Sequence, residues 1–331
     1  MNQSNRLHRF ILPLAIGVAS ALAVLAPAAQ AQSGAKPITL MVPTSSATAA
    51  DITSRLIQPI LQQRFNAPVI VENRTGASGA IGMAAVVRAA PDGNTLLMSP
   101  STMAMINLLQ KDLTWNPGDF APVARMASLY YCVVVNPALP VNNINDLIAL
   151  AKREPGKINF STPGVGTPHH LVTELFKQVT GVNVVHIPYK ASANAVTDLV
   201  GGQVQFAFQA LHSVLPLVKA GKLKLIATVT DARTLWTPET PTLKEAGIDG
   251  VVINSWIGAF LPKGTAKQTI DRYARELNEV LNQPAIKEEL LKSGIVVNFG
   301  GPDEMAALLR RDQALWKRVV DDGRVRLDSA G

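Results

Sequence analysis

Ile38-Thr39-Leu40-Met41-Val42-Pro43-Thr44-Ser45-Ser46-Ala47-Thr48-Ala49-Ala50-Asp51 is the stretch whose reading decides the fold. The apolar run 38–42, stopped by Pro43, has the length and composition of a buried strand. From 49 to 65 the pattern changes period. Ile52, Leu56, Ile60 and Leu61 fall on one face of a helix, and Pro59 is expected to bend or interrupt it. Between the two lies a loop of small hydroxyl residues. A strand, a short polar loop and a helix form the repeating unit of an α/β fold.

The unit recurs downstream. Strands are expected at 68–71, 95–99, 130–135, 158–161, 184–187, 204–208 and 223–228. Helices are expected at 81–90, 144–153, 169–180, 193–200 and 213–220. Short strands alternating with helices predict an α/β protein with largely parallel sheets. After an apolar strand at 251–260 the chain turns helical, at 266–281, 286–293 and 302–321. In the last helix Met305, Leu308, Leu309, Leu315, Val319 and Val320 form an apolar stripe. A chain that leaves its first domain, builds a second and returns explains this ending. The crossings are expected near 130–135 and 251–260, giving a discontinuous first domain, 32–130 with 255–331, and a second domain, 131–254.

Outward from this frame, the start of the chain is a separate matter. Arg6 and Arg9 precede an uncharged run, 10–29, that exits through Ala29-Gln30-Ala31. That is the layout of a secretory signal peptide, 1–31, with removal expected after Ala31 and a soluble periplasmic product. A composition of 47% hydrophobic and 17% charged residues is globular. The net charge is +7, or +5 without Arg6 and Arg9 (7 − 2), and is scattered between acids with few aromatics. This argues against a nucleic-acid partner. Cys132 is the one cysteine, so no intramolecular disulfide forms. No cysteine follows the cleavage point to take a lipid, and Cys132 itself reads as a small core residue.

Two loops stand at strand-to-helix junctions, Pro43 to Asp51 and Ser161-Thr162-Pro163-Gly164-Val165-Gly166-Thr167-Pro168-His169-His170. In α/β domains ligands collect at the carboxyl ends of strands, and exposed N–H groups at a helix start attract anions. Each loop alone is explained by helix capping; the pair, one from each domain, reads as a binding cleft. The Gly-rich segment Glu72-Asn73-Arg74-Thr75-Gly76-Ala77-Ser78-Gly79-Ala80-Ile81-Gly82 lacks the Lys of a phosphate loop. It also has Ala80 where a nucleophile elbow needs Gly, so it reads as a tight turn opening a helix. His170 and Glu174 share one helical face, but a metal needs a third ligand and none is evident nearby. A Ser/His/Asp triad assembles only in space, and no serine here is marked as activated. No metal, cofactor or catalytic residue is assigned.

At these loops the chain resembles the periplasmic solute-binding proteins of tripartite tricarboxylate transporters, the Bordetella-type uptake receptors. The resemblance rests on Lys36-Pro37-Ile38, Val71-Glu72-Asn73-Arg74, Ala90-Pro91-Asp92-Gly93, Asp119-Phe120-Ala121-Pro122-Val123 and Pro155-Gly156-Lys157-Ile158-Asn159. It rests also on His186-Ile187-Pro188-Tyr189-Lys190, on 197–204 and on Ser255-Trp256-Ile257-Gly258. The order and spacing of these pieces span nearly all of the chain beyond residue 31. The resemblance implies a two-domain Venus-flytrap fold of type II kind with a ligand cleft between the domains. It implies a monomer, an organic anion as ligand and a two-component membrane permease as partner. In the family one ligand carboxylate is held by the first and second loops, which points to Thr44, Ser45, Ser46, Ala47, Thr48, Gly164, Gly166 and Thr167. His170 matches the family's usual histidine, and Gln209, Ser255 and Trp256 are further wall candidates.

Two departures from the family pattern bear on the ligand. The first loop has Ala47-Thr48 where the family has a Gly pair. That removes torsions that only Gly reaches easily and adds hydroxyl donors. Gln205 and Gln209 stand where Asp is common, so nothing there neutralises an ammonium group. The expectation is a receptor for a small carboxylate without an amine, trapped by closure of two domains. The rival reading is a sensor module of the same fold that docks on a membrane signalling receptor.

Overall fold

The computed structural model describes residues 35–110, 112–251, 253 and 255–321; the expected signal peptide, 1–31, lies outside them. In chain order the elements begin β1 (Ile38–Val42), α1 (Ala49–Phe65), β2 (Val69–Asn73), α2 (Ala80–Val87), β3 (Thr95–Pro100), α3 (Ile106–Leu109) and β4 (Phe120–Leu129). There follow β5 (Tyr131–Val135), α4 (Ile144–Arg153), β6 (Asn159–Thr162), α5 (Pro168–Thr180), β7 (Val185–Pro188), α6 (Ser192–Val200), β8 (Phe206–Ala210), α7 (Leu211–Lys219) and β9 (Lys224–Val229). The chain closes with β10 (Ser255–Pro262), α8 (Lys267–Leu281), α9 (Pro284–Lys292), β11 (Ile295–Gly300) and α10 (Pro302–Asp321).

The strands form two sheets, one ordered β11-β4-β10-β3-β1-β2 and one ordered β7-β6-β8-β5-β9. Each sheet is mixed, where the alternation predicted largely parallel pairing. In the first, β1 pairs parallel with β2 and β3, while β10 runs antiparallel to both β3 and β4. In the second, β6 pairs parallel with β7 and β8, and β5 runs antiparallel to β8 and β9. Apart from β11, which pairs antiparallel with β4 at the edge of the first sheet, the antiparallel pairs involve the strands at the two passages between sheets. The chain leaves the first sheet between Leu129 and Tyr131 and re-enters it at Ser255. These strands are not closed by a helical crossover, so nothing holds them to the parallel sense.

Packing corrects four local expectations. Pro59 does not interrupt α1, which runs unbroken from Ala49 to Phe65. Pro59 and Arg55 are both exposed, so the carbonyl that loses its helical donor faces solvent. The deepest face of α1 is Thr53, Ser54, Ile57 and Leu61, while Ile52, Leu56 and Ile60 are only partly covered. In α10 the buried row is Met305, Leu308, Leu309 and Trp316, and Leu315 turns outward. Asp312 interrupts that row, buried, and accepts a hydrogen bond from Trp256 Nε1 at 2.8 Å. Trp256 is therefore a core residue and not a wall of the main cavity. Cys132 is fully buried and its thiol pKa is raised by burial, the state of an inert core thiol.

Candidate functional site

The carboxyl ends of six strands open on one cavity of about 930 Å³. From the first sheet come the loops after β1, β2 and β3; from the second come those after β6, β7 and β8. Within each set the three strands are mutually parallel neighbours, so their helix starts lie along one edge. The beginnings of α1, α5, α6 and α7 all line the space, which gathers their unpaired N–H groups and positive dipole ends there. The back wall is made where the chain passes between sheets, by Leu129, Tyr131, Ser255 and Ile257.

Of the residues expected from sequence, Thr44, Ser45, Ser46, Ala47, Thr48, Gly164, Thr167 and Ser255 line this cavity. Gly166, His170 and Gln209 do not. The Gly166 N–H is spent on His170 Nδ1 at 3.3 Å, and the His170 ring is buried against His186, with centroids 4.4 Å apart. Burial, with His186 and Lys177 nearby, holds His170 neutral, its pKa lowered to about 3. Through that hydrogen bond it ties Gly166 of the second loop to α5. Near it, His170 Nε2 lies 3.9 Å from a Glu174 oxygen that also binds Lys177, and no group of three or more metal-ligating side chains occurs among the described residues. Gln209 sits on the opposite face of β8 from Ala210, which does line the cavity, and its amide has no hydrogen-bond partner among the described residues.

The first loop is a closed hydrogen-bonded turn. Thr48 Oγ1 donates to the Ser45 carbonyl at 3.0 Å and lies 2.7 Å from Thr44 Oγ1. Ala47 takes the left-handed conformation, φ 63°, that its Gly counterpart would reach without strain, whereas Thr48 stays extended. The Ala47 N–H donates to Asp51 Oδ2 at 2.9 Å, so this donor is already engaged. The hydroxyls of Ser45 and Ser46 make no hydrogen bond among the described residues and are free for a ligand. Asp51 also accepts from Arg55 and from Asn73, and Asn73 donates to the Thr44 carbonyl at 3.1 Å. Burial alone would raise the Asp51 carboxyl; the hydrogen bonds from Arg55, Ala47 and Asn73 outweigh it and hold the pKa below the ordinary value.

Several lining residues escaped the reading of the sequence. The segment Thr75 to Gly79 does form the expected tight turn, with four consecutive positive φ values from Gly76 to Gly79, but it also walls the cavity. Ser78 donates across the space to the Val165 carbonyl at 2.8 Å, joining the loop after β2 to the loop after β6. Tyr131, His169, Tyr189, Ser192 and His212 also line it. The rule that ligands collect at strand ends applies equally to β2, β7 and β8 and was the signal available for them. Tyr131 is buried, bonded to Ser255, and its hydroxyl pKa is pushed up by burial. Ser255 also meets Ser101, Oγ to Oγ 3.3 Å.

Lys190 is the only charged residue on the wall, and no Asp or Glu lines it among the described residues. A cavity ringed by helix starts, hydroxyls and no carboxylate favours an anion. A model of the tripartite tricarboxylate transporter family receptor, TctC, matches residues 53–324. The chain belongs to this receptor family. BugT of Bordetella pertussis is 32% identical over 315 residues, covering 94% of this chain and 96% of that protein. The structure of Rpa4515 of R. palustris with adipate superposes with a TM-score of 0.81 at 29% identity, covering 87% of this chain and 97% of that one. The periplasmic binding protein BugD superposes with a TM-score of 0.82 at 28% identity, covering 87% and 97%. The protein is thus a solute-binding receptor of periplasmic-binding-protein fold and not an enzyme. No described helix of this receptor is long and apolar enough to cross a membrane.

Proposed function

We propose that this receptor captures a small organic carboxylate lacking an amine and presents it to a two-component membrane permease of tripartite tricarboxylate type. The observation that carries the reading is the wall of the cavity: among the described residues, four helix starts and many hydroxyls, one lysine and no acid. A buried ammonium would find no counter-charge there, and an unpaired buried charge is costly. Gln209, whose side chain faces away from the cavity, takes no part in this discrimination. Adipate in Rpa4515, a relative at 29% identity, agrees with an aliphatic acid as ligand.

The ligand sits between two lobes, 32–130 with 255–331 on one side and 131–254 on the other. The free hydroxyls of Ser45 and Ser46 and the starts of α1 and α5 take one carboxylate. Closure around it presents a surface that the open form lacks. The mature chain begins after Ala31 and works in the periplasm as a monomer.

The test is thermal unfolding of residues 32–331, stripped of co-purified ligand, against mono-, di- and tricarboxylates, aromatic acids and amino acids. At a hundred times its dissociation constant a ligand adds about 2.7 kcal/mol. A shift confined to amine-free acids is expected. Stabilisation by amino acids alone, or by no acid at all, overturns the assignment.

A further inference from the structure

His169 and His212 are the two cavity residues whose state the proposed function leaves unexplained. Each is the second residue of a helix, α5 and α7, and these helices follow the parallel neighbours β6 and β8. The topology therefore brings both imidazoles to the same wall of the cavity. The His169 ring packs edge-on to Tyr131 at 5.0 Å between centroids, and Tyr131 bonds Ser255 of the back wall. The two histidines are close enough that charge on His212 disfavours charge on His169.

A histidine serving only the fold bonds its ring nitrogens to the protein. Here neither ring makes a hydrogen bond among the described residues, and each Nδ1 is enclosed without a partner. A proton on that nitrogen would be a buried donor with no acceptor, which proteins avoid more strictly than an unused lone pair. The proton therefore resides on Nε2, the nitrogen left available to a ligand. Burial keeps both rings neutral, at pKa about 3 for His169 and about 4 for His212. The wall thus offers two uncharged N–H donors. Two imidazoles without a third ligand do not make a metal site, and no described residue supplies one.

We infer that His169 and His212 are a second recognition point, reading a hydrogen-bond-accepting oxygen on the ligand apart from the carboxylate taken by the first loop. This rests on the carboxylate reading above and narrows it to acids with a second acceptor, a second carboxylate or a carbonyl. A plain monoacid would leave two buried donors unpaired, and a site built to bond a polar group rejects the analogue that lacks it.

Calorimetric titration with matched pairs tests this: diacid against monoacid at four to eight carbons, adipate against hexanoate among them, and terephthalate against benzoate. The half-amide of the best diacid serves as the uncharged acceptor. At the best chain length the diacid is expected to bind at least tenfold more tightly than its monoacid, with the half-amide close to the diacid. His169→Phe and His212→Phe should each reduce the diacid-to-monoacid ratio severalfold, with most of the change in diacid binding. His169→Gln and His212→Gln, which keep an N–H donor near the Nε2 place, should restore most of it, and melting curves verify that all four variants fold. Equal binding of diacid and monoacid, or equal weakening of both by the Phe variants, overturns the inference while leaving the carboxylate reading intact. Absence of binding by every acid overturns both.

Discussion

At the scale of single residues, Ala47 shows what the altered first loop costs. Its left-handed backbone disfavours any side chain with a Cβ by about 1–2 kcal/mol. Glycine would remove that strain but gain about 0.4–1 kcal/mol of unfolded-chain entropy. Ala47→Gly is therefore expected to raise stability by up to about 1 kcal/mol, read from urea unfolding midpoints, and a clear loss would show that the loop is not strained. Asn73 is the opposite case. It donates to both the Thr44 carbonyl and Asp51, and so ties the first loop to the end of β2. Asn73→Ala should cost about 1–3 kcal/mol and weaken carboxylate binding, since it frees the loop that holds the ligand. Unaltered affinity in that variant would detach the loop from binding. The candidate site was legible where chemistry is local. Ser45 and Ser46 read as wall residues from hydroxyls and position, and they line the cavity. Gly166, His170 and Gln209 did not, because a sequence does not tell which N–H is already spent or which face of β8 a side chain takes.

Elements were legible in proportion to their periodicity. Helices α1, α4 and α10 have the expected limits because each carries a clear apolar period and an end signal. Strands β4 and β11 were not read at all. β4 carries Pro122 and Arg125 inside an apolar stretch, and its pairing with β10 shifts register at Ile257/Gly258 and Ala259/Phe260, so no alternation survives. β11 is a sheet edge with Asn298 and a Gly end. The turn before α2 was read correctly as local structure, but its purpose lies in packing. A Cβ on Gly82 would meet the Arg74 carbonyl at 2.6 Å and the Pro43 backbone at 3.0 Å. Both contacts are main chain, so α2 lies directly against the start of the first loop and cannot yield cheaply. Gly82→Ala is expected to cost about 1–3 kcal/mol and to lower ligand affinity together with stability. Gly201→Ala, where the nearest contact is 3.5 Å and φ is ordinary, should change stability by no more than about 0.5 kcal/mol. A loss at Gly82 no larger than the change at Gly201 would mean that this main-chain contact does not govern the response.

The whole molecule responds to acid through groups that its core keeps neutral. His169, His170 and His212 have folded pKa values of about 3, 3 and 4, against 6.5 for a free histidine, with burial the largest cause in each. Between pH 6.5 and these values the unfolded chain binds protons that the folded chain refuses. Stability therefore falls as pH is lowered through this window, by up to about 1.4 kcal/mol per pH unit for each such histidine, and is insensitive to them above it. Asp51, held below its ordinary pKa, adds a further loss only in stronger acid, below 3.8. Urea unfolding of ligand-free protein at pH 8, 7, 6 and 5 should give a plateau and then a steep decline. His212→Phe should make that decline shallower by up to about 1.4 kcal/mol per pH unit. A stability unchanged from pH 8 to 5 would mean that the folded chain does protonate these rings. Ligand provides the complementary reading. A carboxylate seated beside His169 and His212 favours their charged forms and lifts their pKa towards the ordinary value. The saturated receptor should then lose less stability on acidification than the empty one, whereas an anion held only by the first loop would leave the two slopes equal.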